Sequence, residues 1–258
     1  MARPDESLTA GWVQFAGHNG ENIDGYLARP TGSGPYPGVL LIHEAFGLVR
    51  HTKEQAVRFA AAGYICLAPD LYTREAFVRE GQVDFSDPAQ ARAVMQAMGG
   101  MADGRAIGDL EGAVTVIRQT THHNGKTGVI GHCSGGRHTL LFACNSKNVH
   151  AAVDCYGGRI IVDDPSQLTP NMPVQVIDMV PQLNCPLLGL FGVEDQNPAP
   201  AHTARLEEAL KKNGKTFDLK TYDGAGHAFF ADYRPSYRQA AAVDAWERTF
   251  AWFERYLR

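Results

Sequence analysis

Short, continuous apolar runs alternate with amphipathic segments along most of the chain. The apolar runs lie at residues 38–42, 64–68, 127–131, 151–155 and 186–191, and a further strand is predicted at residues 217–222. Segments with helical periodicity lie at residues 52–62, 88–98, 105–119, 135–144, 201–212 and 238–256. Apolar runs of this length, bounded by Gly and Pro, are typical of strands buried on both faces of a parallel sheet. Ahead of them, residues 12–15 and 23–28 flank a turn and predict an antiparallel start.

This order of elements predicts an α/β protein with a mostly parallel central sheet and helices on both of its faces. We expect residues 1–258 to form a single domain. Residues 75–104 contain several glycines, and we expect them to form either a lid-like segment or a surface loop with a helix. Chemistry in such sheets lies beyond the carboxyl ends of the strands.

The charge balance argues against a polyanionic partner. The formal net charge is −4, with 24 basic and 28 acidic residues, so neither nucleic acid nor an anionic membrane surface is an expected partner. The first residues, MARPDESLTAGWV, lack the apolar core of a signal peptide. No apolar run approaches the length of about 20 residues that spans a bilayer. We therefore expect a cytoplasmic protein, either a monomer or a homodimer.

The cysteines do not form a recognisable framework. The chain has five of them, an odd number without a CxxC pair, which favours neither a disulfide scaffold nor a structural zinc site. Most lie in apolar contexts, where cysteine usually serves as a small buried hydrophobe. Cys133 is the exception, because it stands in a glycine-rich turn.

The most informative stretch is Gly-His-Cys-Ser-Gly at residues 131–135, between a predicted strand and a predicted helix. Gly-x-Cys-x-Gly in this setting predicts the sharp strand-to-helix turn that exposes the nucleophile of an α/β-hydrolase fold. Cys133 is therefore the candidate nucleophile, and the helix N-terminus would favour its thiolate. Two alternatives remain open, a buried cysteine without chemistry and a nucleophilic Ser134.

Candidate partners follow Cys133 in the chain order of nucleophile, acid and base. A predicted strand runs into Glu194 and Asp195, and Asp195 is preferred because the acid commonly lies a few residues into the loop. A glycine-rich loop after the last strand carries His227. The other histidines are less well placed: His132 in the turn itself, His138 on the following helix, and His122 and His123 in a polar turn.

These residues predict acyl transfer. His227 would take the thiol proton or pair with the thiolate, and Asp195 would hold the imidazole in the correct tautomer while Cys133 attacks an ester-type carbonyl. The oxyanion would bind the backbone N–H of Ser134 and one N–H from the loop after the strand that ends at Ile42. Neither a metal nor an organic cofactor is expected.

Several segments together resemble the dienelactone hydrolase family, with similarity over residues 25–257. They are LIHEAFG at 41–47, APDLYTR at 68–74, the cysteine turn, and residues 192–195 and 224–227. The resemblance implies that Glu44 hydrogen-bonds the resting thiol, that Ala45 supplies the second oxyanion N–H, and that Arg74 binds a substrate carboxylate.

One position departs from the family pattern. Dienelactone-cleaving members carry a Ser and an Arg shortly after the histidine, whereas here His227 is followed by Ala228, Phe229, Phe230 and Ala231. Phe229 is therefore expected to form an apolar wall of the substrate site, while Arg234 lies out of register for the second carboxylate contact. This difference favours an uncharged ester or another lactone over dienelactone.

The leading hypothesis is an enzyme that cleaves a small ester or lactone. A second hypothesis is a non-catalytic receptor that uses the same pocket to bind a small molecule, since a fold alone does not define a function. A third is a thiol-dependent acyltransferase or peptidase.

Overall fold

The structure is a computed structural model that describes residues 7–75 and 87–258. The chain divides into two compact units, Met1–Thr127 and Gly128–Arg258. The strands are β1 (Leu8–Ala16), β2 (Asn22–Pro30), β3 (Tyr36–Ile42), β4 (Ile65–Pro69), β5 (His123–His132), β6 (Ala151–Cys155), β7 (Leu187–Gly192) and β8 (Phe217–Tyr222). The helices are α1 (Arg50–Ala61), α2 (Pro88–Gly100), α3 (Asp103–Gln119), α4 (Ser134–Asn145), α5 (Pro200–Lys212) and α6 (Gln239–Leu257).

In the first unit, β1 and β2 form the antiparallel start that the sequence predicts, joined through a short 3₁₀ turn at His18–Gly20. Strand β2 pairs antiparallel with β4, and β4 pairs parallel with β3, so the strand order is β1-β2-β4-β3. Strand β4 is buried along its whole length. Helix α1 packs on β2 and β4, and α3 packs on β3 and β4, which buries the apolar faces of these strands.

In the second unit, β5, β6, β7 and β8 pair in parallel and in chain order. All residues of β6 and β7 are buried, as expected for strands covered on both faces. Because the strands run in the same direction, the loops that follow them open at a common edge of the sheet. That edge holds the candidate site.

Helix α6 packs against the start of this sheet at a position without a side chain. A Cβ added to Gly128 would lie 2.7 Å from Phe253 Cε1 and 2.9 Å from Leu257 Cδ1. Both side chains of α6 are fully buried. Glycine at 128 therefore lets the helix approach β5 closely, and the apolar face of α6 closes this part of the core.

The predicted fold class is confirmed, with mostly parallel strand pairs and intervening helices. The bounds of β6 and β8 match the predicted strands. Strand β5 begins four residues before its apolar run, and the pattern missed these four residues because they are not apolar and lie partly exposed. Asp87 caps α2 by accepting the N–H of Ala89 at 2.8 Å.

Of the lid-like segment predicted at 75–104, residues 76–86 lie outside the described residues. The assignment of one domain stays a prediction. Across the described ranges, no helix combines the length and apolar character needed to span a membrane.

Replacing Phe253 by Ala should destabilise the protein by about 3–5 kcal/mol, because it removes a buried aromatic ring and leaves a cavity beneath α6. Val243→Ala on the same helix is the matched control, since Val243 is 50% exposed, and it should change stability by less than about 0.5 kcal/mol. Urea unfolding followed by circular dichroism measures both. Equal stability losses in the two variants would contradict this account of the core.

Candidate active site

Cys133 occupies the turn between β5 and α4 with a left-handed backbone. Its φ is 56° and its ψ is −119°, a conformation that residues other than glycine rarely adopt. Backbone hydrogen bonds hold the strained residue in place: its N–H donates to Cys155 at 3.0 Å, and its C=O accepts from Gly136 at 2.9 Å and from Arg137 at 3.2 Å. Strain maintained in this way is characteristic of functional sites.

The small residues around Cys133 are required by close backbone approach. A Cβ added to Gly131 would lie 2.2 Å from the carbonyl oxygen of Gly135, so a side chain at 131 would push α4 away from β5. Since Gly136 and Arg137 use the carbonyl of Cys133, the N–H groups of Ser134 and Gly135 are the ones that helix geometry leaves without a helical acceptor. They begin α4 beside the thiol.

The loop after β7 places a carboxylate next to an imidazole. Asp195 is 1% exposed, and its Oδ2 lies 2.8 Å from Nδ1 of His227. Its Oδ1 accepts the N–H of Asn197 at 2.8 Å. Glu194 is exposed, and its backbone N–H donates to the carbonyl of Ala225 at 2.9 Å. Of the two acids that the sequence offers, Asp195 is the one that contacts the histidine.

His227 is hydrogen-bonded on both sides, to Asp195 and to the side chain of Cys133. Burial by itself would lower the pKa of His227, but these hydrogen bonds and the negative charges of Cys133 and Asp195 outweigh burial and raise the pKa to about 10. At neutral pH the imidazole is thus protonated. A protonated imidazole next to a cysteine stabilises the thiolate, which is the nucleophilic form.

Tyr156 contacts the imidazole and was not among the residues singled out from the sequence. Its ring lies edge-on to His227, with centroids 5.3 Å apart, and the residue is 1% exposed. It follows β6, the strand next to β5, so its position at the carboxyl edge was the signal that could have identified it. It restricts the orientation of the His227 ring.

Phe229 does not form a wall of the site, contrary to the expectation from the sequence. It is fully buried and packs edge-on against Tyr156, with centroids 5.4 Å apart, and against Tyr222 at 5.1 Å. A side chain that water cannot reach does not contact a ligand. His132 is likewise part of this aromatic core, 5.0 Å from the ring of Phe230.

Glu44 and Ala45 lie in the loop after β3, in the first unit, and both are buried. Neutral His43 holds this loop: its Nδ1 is 2.6 Å from the carbonyl oxygen of Glu44, and its Nε2 accepts the N–H of Leu71 at 3.1 Å. Burial lowers the pKa of His43 to about 4, which keeps the imidazole neutral. The roles of Glu44 and Ala45 toward Cys133 stay predictions.

Arg74 forms an ion-pair network within the first unit. Its terminal nitrogens donate to both oxygens of Asp109, at 2.8 and 3.1 Å, and its Nε donates to Glu21 at 2.5 Å. Asp109 is fully buried and needs a compensating cation. Arg74 therefore has a structural role that the sequence did not reveal, and its guanidinium charge is already balanced by two carboxylates.

A second buried carboxyl lies behind the cysteine turn. Asp154 of β6 is fully buried, accepts the N–H of Gly157 at 2.8 Å through Oδ1, and has no hydrogen-bond partner for Oδ2 among the described residues. Burial raises its pKa to about 7, against the smaller lowering effect of the Gly157 N–H.

Among the residues that the structure describes, no cluster of His, Cys, Asp and Glu side chains could hold a metal ion.

Comparisons with known proteins identify related sequences. The model of the dienelactone hydrolase family matches residues 23–257. A Methylorubrum extorquens protein named "Putative carboxymethylenebutenolidase" is 38% identical over 257 residues, which are 99% of this chain and 84% of that protein. A Bradyrhizobium protein named "Probable 2-oxo-3-(5-oxofuran-2-ylidene)propanoate lactonase" is 30% identical over 255 residues, 98% of this chain and 96% of that protein.

Solved structures share the architecture. A crystal structure described as "Putative Dienelactone Hydrolase", from Klebsiella pneumoniae, aligns with a TM-score of 0.86 at 31% identity and covers 97% of this chain and 100% of that chain. The dienelactone hydrolase-like promiscuous phosphotriesterase P91, from metagenomic libraries, aligns with a TM-score of 0.77 at 22% identity over 98% of this chain and 100% of that chain. The second similarity concerns the fold alone.

Replacing Asp154 by Asn should change how stability depends on pH. Because the pKa of Asp154 is raised to about 7 in the folded state and is about 4 in an unfolded chain, the folded state binds the extra proton between these values. The wild type therefore loses stability from this group as the pH rises from about 4 to about 7, and Asn does not. Urea unfolding at about pH 4.5 and at about pH 8 should show Asp154→Asn gaining on the wild type at the higher pH. An unchanged difference would place the pKa of Asp154 in its ordinary range.

Proposed function

Since the chain belongs to the dienelactone hydrolase family and is a hydrolase of ester or lactone bonds, we propose that it cleaves a small ester or lactone through Cys133, His227 and Asp195 and an acyl-enzyme intermediate. The observation that carries this proposal is the hydrogen-bonded series from Cys133 through His227 to Asp195, starting at a strained turn. The same series argues against a pocket that only binds ligands.

In the first half-reaction, the Cys133 thiolate attacks the carbonyl carbon while His227 holds the proton on its nitrogen. The resulting oxyanion is stabilised by the Ser134 N–H at the positive end of α4, and each such donor is typically worth about 2.7–4 kcal/mol. When the tetrahedral intermediate collapses, the C–O bond breaks and the leaving alkoxide takes the proton from His227.

In the second half-reaction, the now neutral His227 removes a proton from water, and the hydroxide adds to the thioester carbonyl. The C–S bond then breaks, and the Cys133 thiolate leaves beside the imidazolium that formed when His227 took the proton from water. Asp195 accepts a hydrogen bond from Nδ1 of His227, which leaves the other ring nitrogen to exchange protons with the leaving group and with water. The carboxylate also stabilises the positive charge of the ring. The resting pair is regenerated without any further reactant.

The charges of the described residues favour an uncharged substrate. The guanidinium of Arg74 is shared by Asp109 and Glu21, and apolar residues follow His227 where a second cation would stand. We therefore propose a small ester or lactone without a carboxylate. The relatives' names refer to lactones and butenolides, which support the lactone class. A cytoplasmic location, and a monomeric or homodimeric state, remain our predictions.

Cys133→Ala should reduce kcat/KM for p-nitrophenyl acetate and for simple lactones by at least about a thousandfold, because the acylated atom is lost. Cys144→Ala is the control: Cys144 is buried within α4, and burial raises the pKa of its thiol to about 12, so it does not act as a nucleophile. Steady-state kinetics on uncharged and carboxylated lactones would also rank the two substrate classes. Full activity in Cys133→Ala, or no turnover by the wild type on any of these substrates, would overturn the proposal and favour a receptor.

Alkylation by iodoacetamide tests the ion pair without any substrate. An ordinary cysteine with a pKa of about 8.5 is only a few per cent thiolate at neutral pH, whereas a protonated His227 should keep Cys133 reactive there. His227→Gln should slow alkylation of Cys133 at neutral pH roughly tenfold or more and move the rise in rate to higher pH. Peptide mass spectrometry assigns the modified cysteine. An unchanged rate profile in His227→Gln would show that the histidine does not stabilise the thiolate.

A further inference from the structure

The loop that carries Asp195 is tied to the segment that follows β6. Asn197 makes both connections: its backbone N–H donates to Asp195 Oδ1 at 2.8 Å, and its side-chain Oδ1 accepts the backbone N–H of Arg159 at 3.1 Å. One residue thus holds one oxygen of the acid while its side chain is anchored on the neighbouring strand's loop. The other oxygen of the acid is the one that contacts His227.

The segment after β6 is shaped to receive Asn197. A Cβ added to Gly158 would lie 2.9 Å from Asn197 Nδ2 and 3.0 Å from both its Oδ1 and its carbonyl oxygen, so a side chain at 158 would displace Asn197 from this position. Arg159 adopts a left-handed backbone with a φ of 57°, which an arginine does not favour. The side-chain Oδ1 of Asn197 accepts its hydrogen bond from the N–H of this strained residue.

The same segment also abuts the cysteine turn. The N–H of Gly157 donates to buried Asp154 at 2.8 Å, and a Cβ on Gly157 would lie 2.7 Å from the backbone nitrogen of Arg137 in the first turn of α4. Residues 157–159 therefore contact the nucleophile's helix at one end and the acid's loop at the other. We call this segment the brace.

We propose that Asn197 is a positioning residue for the thiol-dependent hydrolysis of the ester or lactone. It fixes Asp195 against His227 by anchoring the loop that carries Asp195 to the brace. This inference rests on the proposed function. Asp195 has no contact with substrate in the proposed mechanism, so its effect depends on its orientation toward the imidazole. Without the Asn197 side chain, the loop keeps its charge and the backbone N–H that binds Asp195, but it loses its attachment to Arg159.

Asn197→Ala should lower kcat for p-nitrophenyl acetate roughly tenfold, in the range that small misplacements of catalytic groups produce, with KM changed less than about twofold. The alkylation profile of Cys133 should move to higher pH, because a looser Asp195 stabilises the imidazolium, and hence the thiolate, less well. A purely structural role would lower stability without moving this profile. Asp195→Asn should shift the profile in the same direction and further.

Gly158→Ala disturbs the same contact from the other side, and should therefore produce the same two changes. In the double variant with Asn197→Ala, the added methyl group no longer meets the side-chain atoms of Asn197. The two effects should consequently combine to less than their product. Asn213→Ala is the matched control. Among the residues that the structure describes, the Asn213 side chain donates to the carbonyl of Ala209 alone, at the end of α5, so this variant should leave kcat and the profile unchanged.

Wild-type kcat and an unshifted alkylation profile in Asn197→Ala would overturn the inference, and so would fully multiplicative effects in the double variant. These outcomes are distinct from failure of the proposed function, in which the wild type would not turn over esters or lactones and His227→Gln would leave the alkylation of Cys133 unaltered. Circular dichroism of each variant confirms that the compared proteins are folded.

Discussion

The left-handed backbone of Cys133 is the constraint on which the site depends. A residue with a side chain in this conformation costs roughly 1–3 kcal/mol, and it is retained only because the surrounding backbone fixes it. Cys155 accepts its N–H, and the first turn of α4 binds its C=O. Since α4 must start immediately after the strained residue, the glycine at 131 follows as a steric necessity, because a Cβ there would meet the carbonyl oxygen of Gly135. The thiol then stands at the N-terminus of a helix.

That placement explains the electrostatics of the site. The Cys133 side chain at the start of α4 and the buried carboxylate of Asp195 both raise the pKa of His227, and together they outweigh the lowering effect of burial. The three groups belong to loops after β5, β7 and β8. Because these strands are parallel and lie in chain order within the second unit, their carboxyl ends meet at one edge. The order of Cys133, Asp195 and His227 along the chain matches the order of these strands in the sheet.

Local patterns were sufficient for the elements and for the residues of the turn, since strand and helix periodicity and the Gly-x-Cys-x-Gly spacing are properties of neighbouring residues. Contacts between residues distant in sequence were not predictable in this way. Phe229 follows His227 directly, yet its ring turns into the aromatic core, because the backbone of Ala228 is left-handed with a φ of 61°. Arg74 pairs with Asp109, 35 residues away, and the sequence around either residue does not predict that ion pair.

The packing behind the turn shows why polar groups hold it together. Helix α4 and the segment after β6 approach so closely that Gly136 and Gly157 leave no room for a Cβ; each such atom would lie within 2.5 Å of Asp154 Oδ1. Hydrogen bonds hold the segment after β6 next to this narrow contact. Asp154 Oδ1 accepts the N–H of Gly157 behind the cysteine turn, and Asn197 Oδ1 accepts the N–H of Arg159 beside the acid. Burying an ionisable carboxyl is costly. Oδ1 of Asp154 offsets part of this cost by accepting the N–H of Gly157, whereas Oδ2 has no hydrogen-bond partner among the described residues. The cost of burial therefore falls on Oδ2.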